Sequence, residues 1–221
     1  MTKEEILIHV DHTLLKAVST WDEIQTPCEE DIENHTVSVC IPPSYVKRVS
    51  ERYGDRMNVC TVIGFPLGYN TTETKVYEAQ KALADGAGEV DMVVNLGDVK
   101  NGEFGKVTRE IAAVKKAAGD HVVKVIIETC YLTEDEKKEL CRCVTEGGDD
   151  YIKTSTGFGT TGAKIEDVRL FKGCIGDGLK IKAAGGVKTR EDLELFLEEG
   201  CDRIGTSSAL KLLNGQEAGT Y

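Results

Sequence analysis

A chain of 221 residues, 40% hydrophobic and 29% charged with only 4 prolines, has the make-up of a globular protein with one good-sized core, which excludes a disordered or fibrous polymer. Its 27 basic and 38 acidic side chains leave a net charge of −11, which repels nucleic acid and anionic lipid and excludes a polyanionic partner. Any anionic ligand must be held by a local site that overrides the field of the whole molecule.

The chain opens with "MTKEEILIHVDHTLL", which has no long apolar stretch and no small-residue cleavage site. No run approaches the ~20 apolar residues of a membrane span. A signal peptide and a membrane span are therefore not expected, and a cytoplasmic location is. The first strand is predicted over 8–11 "HVDH". Strands follow over 36–41 "TVSVCI", 58–63 "NVCTVI" and 89–94 "EVDMVV". The pattern continues over 121–127 "HVVKVII", 150–153 "DYIK", 179–183 "LKIKA" and 202–205 "DRIG". Amphipathic helices are predicted between them, at 72–85, 133–146 and 189–199 among others. The last of these carries a Thr189–Asp192 cap signal and stops at Gly200. Eight strands alternating with helices predict an α/β fold, a single (β/α)8 TIM barrel with parallel strands over 1–221, with a doubly wound open sheet as the alternative. The end, 214–221 "NGQEAGTY", reads as a flexible tail.

The eight cysteines include no C-x-x-C pair, since "CRC" at Cys141 and Cys143 falls in a helical pattern, so they read as free, mostly buried thiols. The histidines, His9, His12, His35 and His121, show no ligand cluster beyond His9 and His12, which suit a core or hydrogen-bonding role. No metal and no cofactor are expected, and neither a dinucleotide fingerprint nor a P-loop is present.

In such a barrel the chemistry sits at the C-terminal strand ends. Asp91 stands inside "EVDMVVN" and Lys124 between valines in "HVVKVIIET". Lys153 ends its strand, and Lys182 precedes the double glycine of "LKIKAAGG". The two-residue strand period puts Val122, Lys124 and Ile126 on one face, and Lys180, Lys182 and Ala184 on one face. One such lysine alone reads as a strand-end residue reaching solvent or as part of a stabilising ion-pair network. Four charges inside apolar runs on consecutive strands read better as a group, because burying any one alone costs several kcal/mol. A partly desolvated lysine beside a second ammonium is expected to have its pKa pushed down and to attack a carbonyl as the free amine. The protonated imine withdraws electrons from the next carbon–carbon bond, as an aldolase without a metal requires, and Asp91 would move protons. Gly185 and Gly186 in "KAAGGVKT", with Ser207 and Ser208 in "RIGTSSALK", fit a phosphate site on consecutive loops, where each motif alone would fit a plain turn or a serine cap.

These segments resemble the deoxyribose-phosphate aldolases. The likeness rests on "VDHTLL", "VSVCIPPSYV", "EVDMVVN", "KVIIETCYL", "KTSTGF", "KAAGGV" and "RIGTSS", in order along nearly the whole chain. It implies a class I aldolase that reversibly cleaves 2-deoxy-D-ribose 5-phosphate to D-glyceraldehyde 3-phosphate and acetaldehyde, in deoxyribose catabolism. By match of motifs, Lys153 would form the Schiff base, and Asp91 and Lys182 would transfer protons. Gly157, Gly185, Gly186, Ser207 and Ser208 would surround the phosphate. Asp11 and Thr13 would lie near the substrate hydroxyls, Lys124 would join the substrate-binding set, and Cys40 would be near the site without being required. Tyr221 would be a proton relay reaching the site from the tail. The glycines of "GTTG" after "KTSTGF" and the alanines of "KAAGG" are less usual. A homodimer or a homotetramer is left open. Competing readings are a phosphosugar isomerase or decarboxylase barrel and a non-catalytic phosphosugar-binding barrel.

Overall fold

The structure, a computed structural model, describes residues 1–217. Eight strands form a closed barrel in which each pairs in parallel with the next, and the last returns to the first. They are β1 (Val10–Thr13), β2 (Ser38–Cys40), β3 (Val59–Ile63), β4 (Glu89–Val93), β5 (Val122–Ile126), β6 (Tyr151–Lys153), β7 (Lys180–Ala184) and β8 (Arg203–Thr206). Among the described residues, ten α-helices accompany them: α1 (Lys3–Leu7), α2 (Trp21–Asn34), α3 (Pro43–Tyr53), α4 (Thr72–Ala84), α5 (Leu96–Lys100), α6 (Phe104–Ala118), α7 (Glu134–Gly147), α8 (Ile165–Cys174), α9 (Arg190–Glu198) and α10 (Ala209–Leu213). The (β/α)8 expectation is borne out, and the open sheet is not. No helix among the described residues is long and apolar enough to cross a membrane.

The helices start where the sequence supplies threonine caps. Thr2, Thr20, Thr133 and Thr189 each accept from the third residue on, and Glu5, Glu23, Glu136 and Asp192 reach back to the cap. Each such cap is worth about 1 kcal/mol. The first of them explains the largest boundary error. Helix α1 closes through Ile8, so the first strand lies at Val10–Thr13, two residues beyond the 8–11 expectation.

The strand period divides the core in two. Outward residues such as Val39, Val90, Met92, Val123, Val125, Ile152, Ile181 and Ile204 join the helices in one large apolar cluster. Each such side chain contributes about 1.5–3 kcal/mol on burial. The inward apolar cluster is small: Leu15, Cys40, Cys60 and Val62, with Phe65 packed on it. The inner face also carries Val93, Ile126 and Ala184, and between these apolar residues it is charged.

One buried carboxylate lies far from that face. Asp149 sits in the turn between α7 and β6, 8% exposed, and neither of its oxygens finds a hydrogen-bond partner. Its neighbour Asp150 takes the nearby donors, Lys115 Nζ at 2.7 Å and Val123 N at 2.8 Å. Burial pushes the Asp149 carboxyl up to about 8, against the pull of Lys115. The folded state therefore holds this proton more tightly than the unfolded chain does, and stability is lost as pH rises from the ordinary aspartate range toward 8. Asp149→Asn keeps the shape and cannot ionise. Thermal melts should show little gain for it at pH 5 and a clear gain at pH 8.5, about 2–4 °C for each kcal/mol of relief. An equal gain at both pH values would mean that the carboxyl does not titrate there.

Candidate active site

Strand register assembles the charges that the sequence disperses. Asp91 is paired with Lys124 across β4 and β5, Lys153 with Lys182 across β6 and β7, and Lys182 with Arg203 across β7 and β8. All of these side chains turn inward. Asp91 Oδ2 accepts from Lys153 Nζ at 2.6 Å and from Lys182 Nζ at 2.8 Å. Its Oδ1 accepts from Lys124 Nζ at 3.0 Å and from Cys60 Sγ at 3.2 Å. Asp11 also accepts from Lys182, from Ser38 Oγ at 2.9 Å and from Arg203 at 2.7 Å. Glu89 pairs with Lys124 at 2.5 Å and with Arg203 at 3.2 Å.

These contacts set the charge states of four members of the group. Burial pushes Lys182 and Lys124 down, but Asp11 and Asp91 outweigh it and hold both above the ordinary lysine value. Lys124 also pushes Lys182 down, but the carboxylates between the ammoniums outweigh it. Burial likewise pushes Asp91 up, and Lys124, Lys153 and Lys182 together hold it well below the usual carboxylate range. Asp11 is lowered in the same way by Lys124, Lys182 and Arg203. Within this ion-pair lattice Asp11 and Asp91 are held ionised, and Lys124 and Lys182 are held charged.

Above it lies a cavity of about 610 Å³. Lys153 is the member of the lattice that lines it, together with Thr13, Thr156, Gly157, Gly185, Gly186, Lys188, Ser207 and Ser208. Asp11, Asp91, Lys124 and Lys182 lie beneath, all at 0% exposure. Gly185 and Gly186 both take positive φ, +74° and +78°. Gly162, from the unusual "GTTG", meets them backbone to backbone: a Cβ there would stand 2.3 Å from Gly185 C. Ser208 precedes α10 but makes no side-chain cap bond, so the ordinary serine cap is not formed. Glu217, the last described residue, also lines the cavity, whereas Tyr221 lies outside the described residues.

Comparison with known proteins identifies this arrangement. Residues 6–216 match the family described as DeoC/LacD family aldolase. A deoxyribose-phosphate aldolase of Clostridium botulinum (strain Alaska E43) is 61% identical over 221 residues, the whole of both chains. That of Clostridioides difficile (strain 630) is 55% identical over 218 residues, 99% of this chain and 100% of the other. The tetrameric deoxyribose phosphate aldolase of Aeropyrum pernix superposes with a TM-score of 0.88 at 31% identity, covering 97% of this chain and 92% of that one. The chain belongs to the DeoC/LacD family of aldolases. The resemblance drawn from its motifs is borne out, and the activity is that of a carbon–carbon lyase.

This aldolase also uses residues that the sequence did not single out. Glu89 and Arg203 complete the lattice from strand starts, where charges are ordinary. Lys188 stands in the quoted "KAAGGVKT" and lines the cavity as a cation. Lys75 is fully buried outside the barrel, donating to Glu110 at 2.7 Å and to Val93 O at the end of β4 at 2.8 Å. Glu128 is the most informative omission. It follows β5 with a left-handed backbone, φ 54°, is 2% exposed, and its carboxylate accepts from both N–H and hydroxyl of Thr156. A non-glycine residue in that conformation costs on the order of 1–3 kcal/mol, so the contact that retains it matters. Burial raises the Glu128 carboxyl, with Thr156 and Lys153 opposing.

Cys40, Cys60 and Asp91 offer ligand atoms within 4.8 Å of one another. The Lys124 ammonium already contacts both Cys60 and Asp91, at 3.4 and 3.0 Å, so a cation there would meet repulsion.

Glu128 generates the test of this geometry. It fixes Thr156, and through it Phe158, whose N–H donates to Thr156 Oγ1 at 3.0 Å. Glu128→Ala should lower kcat/KM by about tenfold, the value of one or two buried hydrogen bonds, with the circular dichroism spectrum unchanged. Glu128→Gln keeps an acceptor oxygen and should recover most of the rate. Equal loss in both variants would mean that the charge, not the loop contact, is what matters.

Proposed function

We propose that this aldolase reversibly cleaves 2-deoxy-D-ribose 5-phosphate to D-glyceraldehyde 3-phosphate and acetaldehyde through a Schiff base on Lys153, as a step of deoxyribose catabolism. One observation carries the reading. A single carboxylate oxygen, Asp91 Oδ2, joins Lys153 and Lys182 at 2.6 and 2.8 Å, and Lys153 lines a cavity together with Gly185, Gly186, Ser207 and Ser208. The named activities of the relatives support the substrate.

The chemistry follows from who can move a proton. Lys153 attacks the aldehyde carbon as an amine, and the proton it gives up is taken by Asp91, its nearest carboxylate. The carbinolamine loses its hydroxyl as water, and Lys182, a charged ammonium in the same lattice, is the acid for that step. In the iminium, the C3 hydroxyl gives its proton to the Asp91 group. The C2–C3 bond breaks toward the nitrogen, and glyceraldehyde 3-phosphate leaves as an aldehyde. The enamine left on Lys153 takes a proton at C2, and water releases acetaldehyde. Thr13, on the cavity wall, is placed for a substrate hydroxyl, while Asp11 and Lys124 act from beneath by holding Lys182 and Asp91. The glycine N–H groups, the two serines and Lys188 are the phosphate donors. The tetrameric state of the Aeropyrum pernix relative supports self-association of this chain.

Two experiments test the reading. Incubation with deoxyribose 5-phosphate and borohydride should fix the sugar on Lys153, found by peptide mass, and Lys153→Ala should abolish both adduct and turnover. An adduct on Lys124 or Lys182 would reassign the nucleophile. Lys188→Ala should raise KM for the phosphorylated sugar by about tenfold to a hundredfold, the value of a charge-assisted hydrogen bond, and leave kinetics on unphosphorylated deoxyribose nearly as they were. Equal losses on both sugars would remove Lys188 from the phosphate site.

A further inference from the structure

Cys40 ends β2 and Cys60 stands second in β3. They are register partners across neighbouring parallel strands, both at 0% exposure. Both belong to the inward apolar cluster, so their side chains share the inner face. Their sulfurs lie within 4.8 Å of each other and of an Asp91 oxygen. Of the eight cysteines, these are the two that lie in strands.

We propose that Cys40 and Cys60 are a modification site: a two-electron oxidant of the peroxide class converts them to a disulfide inside the barrel, and this uncouples Asp91. Neighbouring strands bring paired Cα atoms to about 4.8 Å, within the range of about 4.4–6.8 Å that a disulfide accepts. The two thiols differ in readiness. Contact with Cys60, aided by Lys182 and Lys153, brings the Cys40 thiol below the ordinary value despite burial and Asp91. Burial pushes the Cys60 thiol well above it. Cys40 is therefore the attacking sulfur and Cys60 the resolving one.

The balance closes with peroxide alone. The Cys40 sulfur attacks one peroxide oxygen, the O–O bond breaks, and the departing hydroxide takes the thiol proton and leaves as water. The Cys60 sulfur then attacks Cys40, the S–O bond breaks, and the hydroxyl leaves with the Cys60 proton as a second water. Two thiols lose two electrons and peroxide gains them. The product is neutral like the thiols, so the surrounding ion pairs keep their charge balance.

The consequence runs through Cys60. As a thiol it donates to Asp91 Oδ1 at 3.2 Å and accepts from Lys124 at 3.4 Å. As a disulfide it has no proton to donate, and its sulfur is drawn toward β2. Asp91 loses one of its four donors, and its hold on Lys153 and Lys182 shifts. This rate effect rests on the proposed role of Asp91, whereas the bond itself does not.

The test uses the full chain and hydrogen peroxide. After treatment, the intact mass should fall by about 2 Da relative to the reduced protein, and after alkylation and digestion a Cys40–Cys60 linked peptide should appear. Aldol cleavage should fall by about tenfold and return with dithiothreitol. Cys60→Ser and Cys40→Ser, each compared with its own untreated rate, should show neither the link nor the reversible loss. If one variant fails to fold, the other carries the comparison. A treated wild type without the 40–60 link, or with its link at Cys141, Cys143 or Cys174, overturns the site. The link without any loss of rate overturns the coupling to Asp91. An untreated protein that lacks cleavage activity would sink the proposed function, and the mass measurement would still decide the disulfide.

Discussion

A carboxylate sealed inside a protein is tolerable only while donors surround it, and Asp91 has four: Lys153, Lys182, Lys124 and Cys60. The three lysines among those donors are themselves groups that could not be buried alone. The lysines hold the carboxylate ionised, while Asp11 and Asp91 hold Lys124 and Lys182 charged, with Glu89 aiding at Lys124. Lys124, Lys153, Lys182 and Arg203 make four cations against these three anions. When Lys153 gives up its proton, three cations remain on three carboxylates. Of the three lysines, Lys153 is the one that lines the cavity, where the proposed Schiff base would form.

The scaffold keeps that lattice in register. Parallel pairing fixes the heights at which inward side chains meet, and a slip of one residue on any strand would turn its charge into the helical layer. Lys75 and Glu110 secure the end of β4 from outside, since removing one partner of such a buried pair costs about 3–5 kcal/mol. Glu128 and Gly162 do the same for the loop after Lys153, one by hydrogen bonds and one by lacking a side chain.

Much of this was legible in the chain, and the reasons are physical. Asp91, Lys124, Lys153 and Lys182 stood out because a charge within an apolar strand needs an explanation. Glu89 and Arg203 did not, because a strand start is commonly wet. Glu128 was hidden because a glutamate after a strand looks like a loop residue until its backbone angle is known. Lys75 was hidden in an amphipathic helix, where lysine normally faces water. The raised pKa values of Lys124 and Lys182 were hidden for a related reason. Strand order shows which residues are neighbours, but only the barrel's stagger shows that Asp91 lies between Lys153 and Lys182.

The net charge of −11 also takes on a definite meaning. Exposed charges are screened within about 8 Å at physiological salt, so the acidic exterior governs the approach of a phosphate more than its binding. In the phosphate site proposed here, the partners would be Lys188, two serine hydroxyls and the N–H groups of a backbone made open by Gly185 and Gly186, all of which line the cavity. Donors fixed by backbone geometry need no reorganisation when the anion arrives, and the low local dielectric strengthens each of them. A site of this kind works against the field of its own protein because it acts at hydrogen-bond range, where local geometry outweighs net charge.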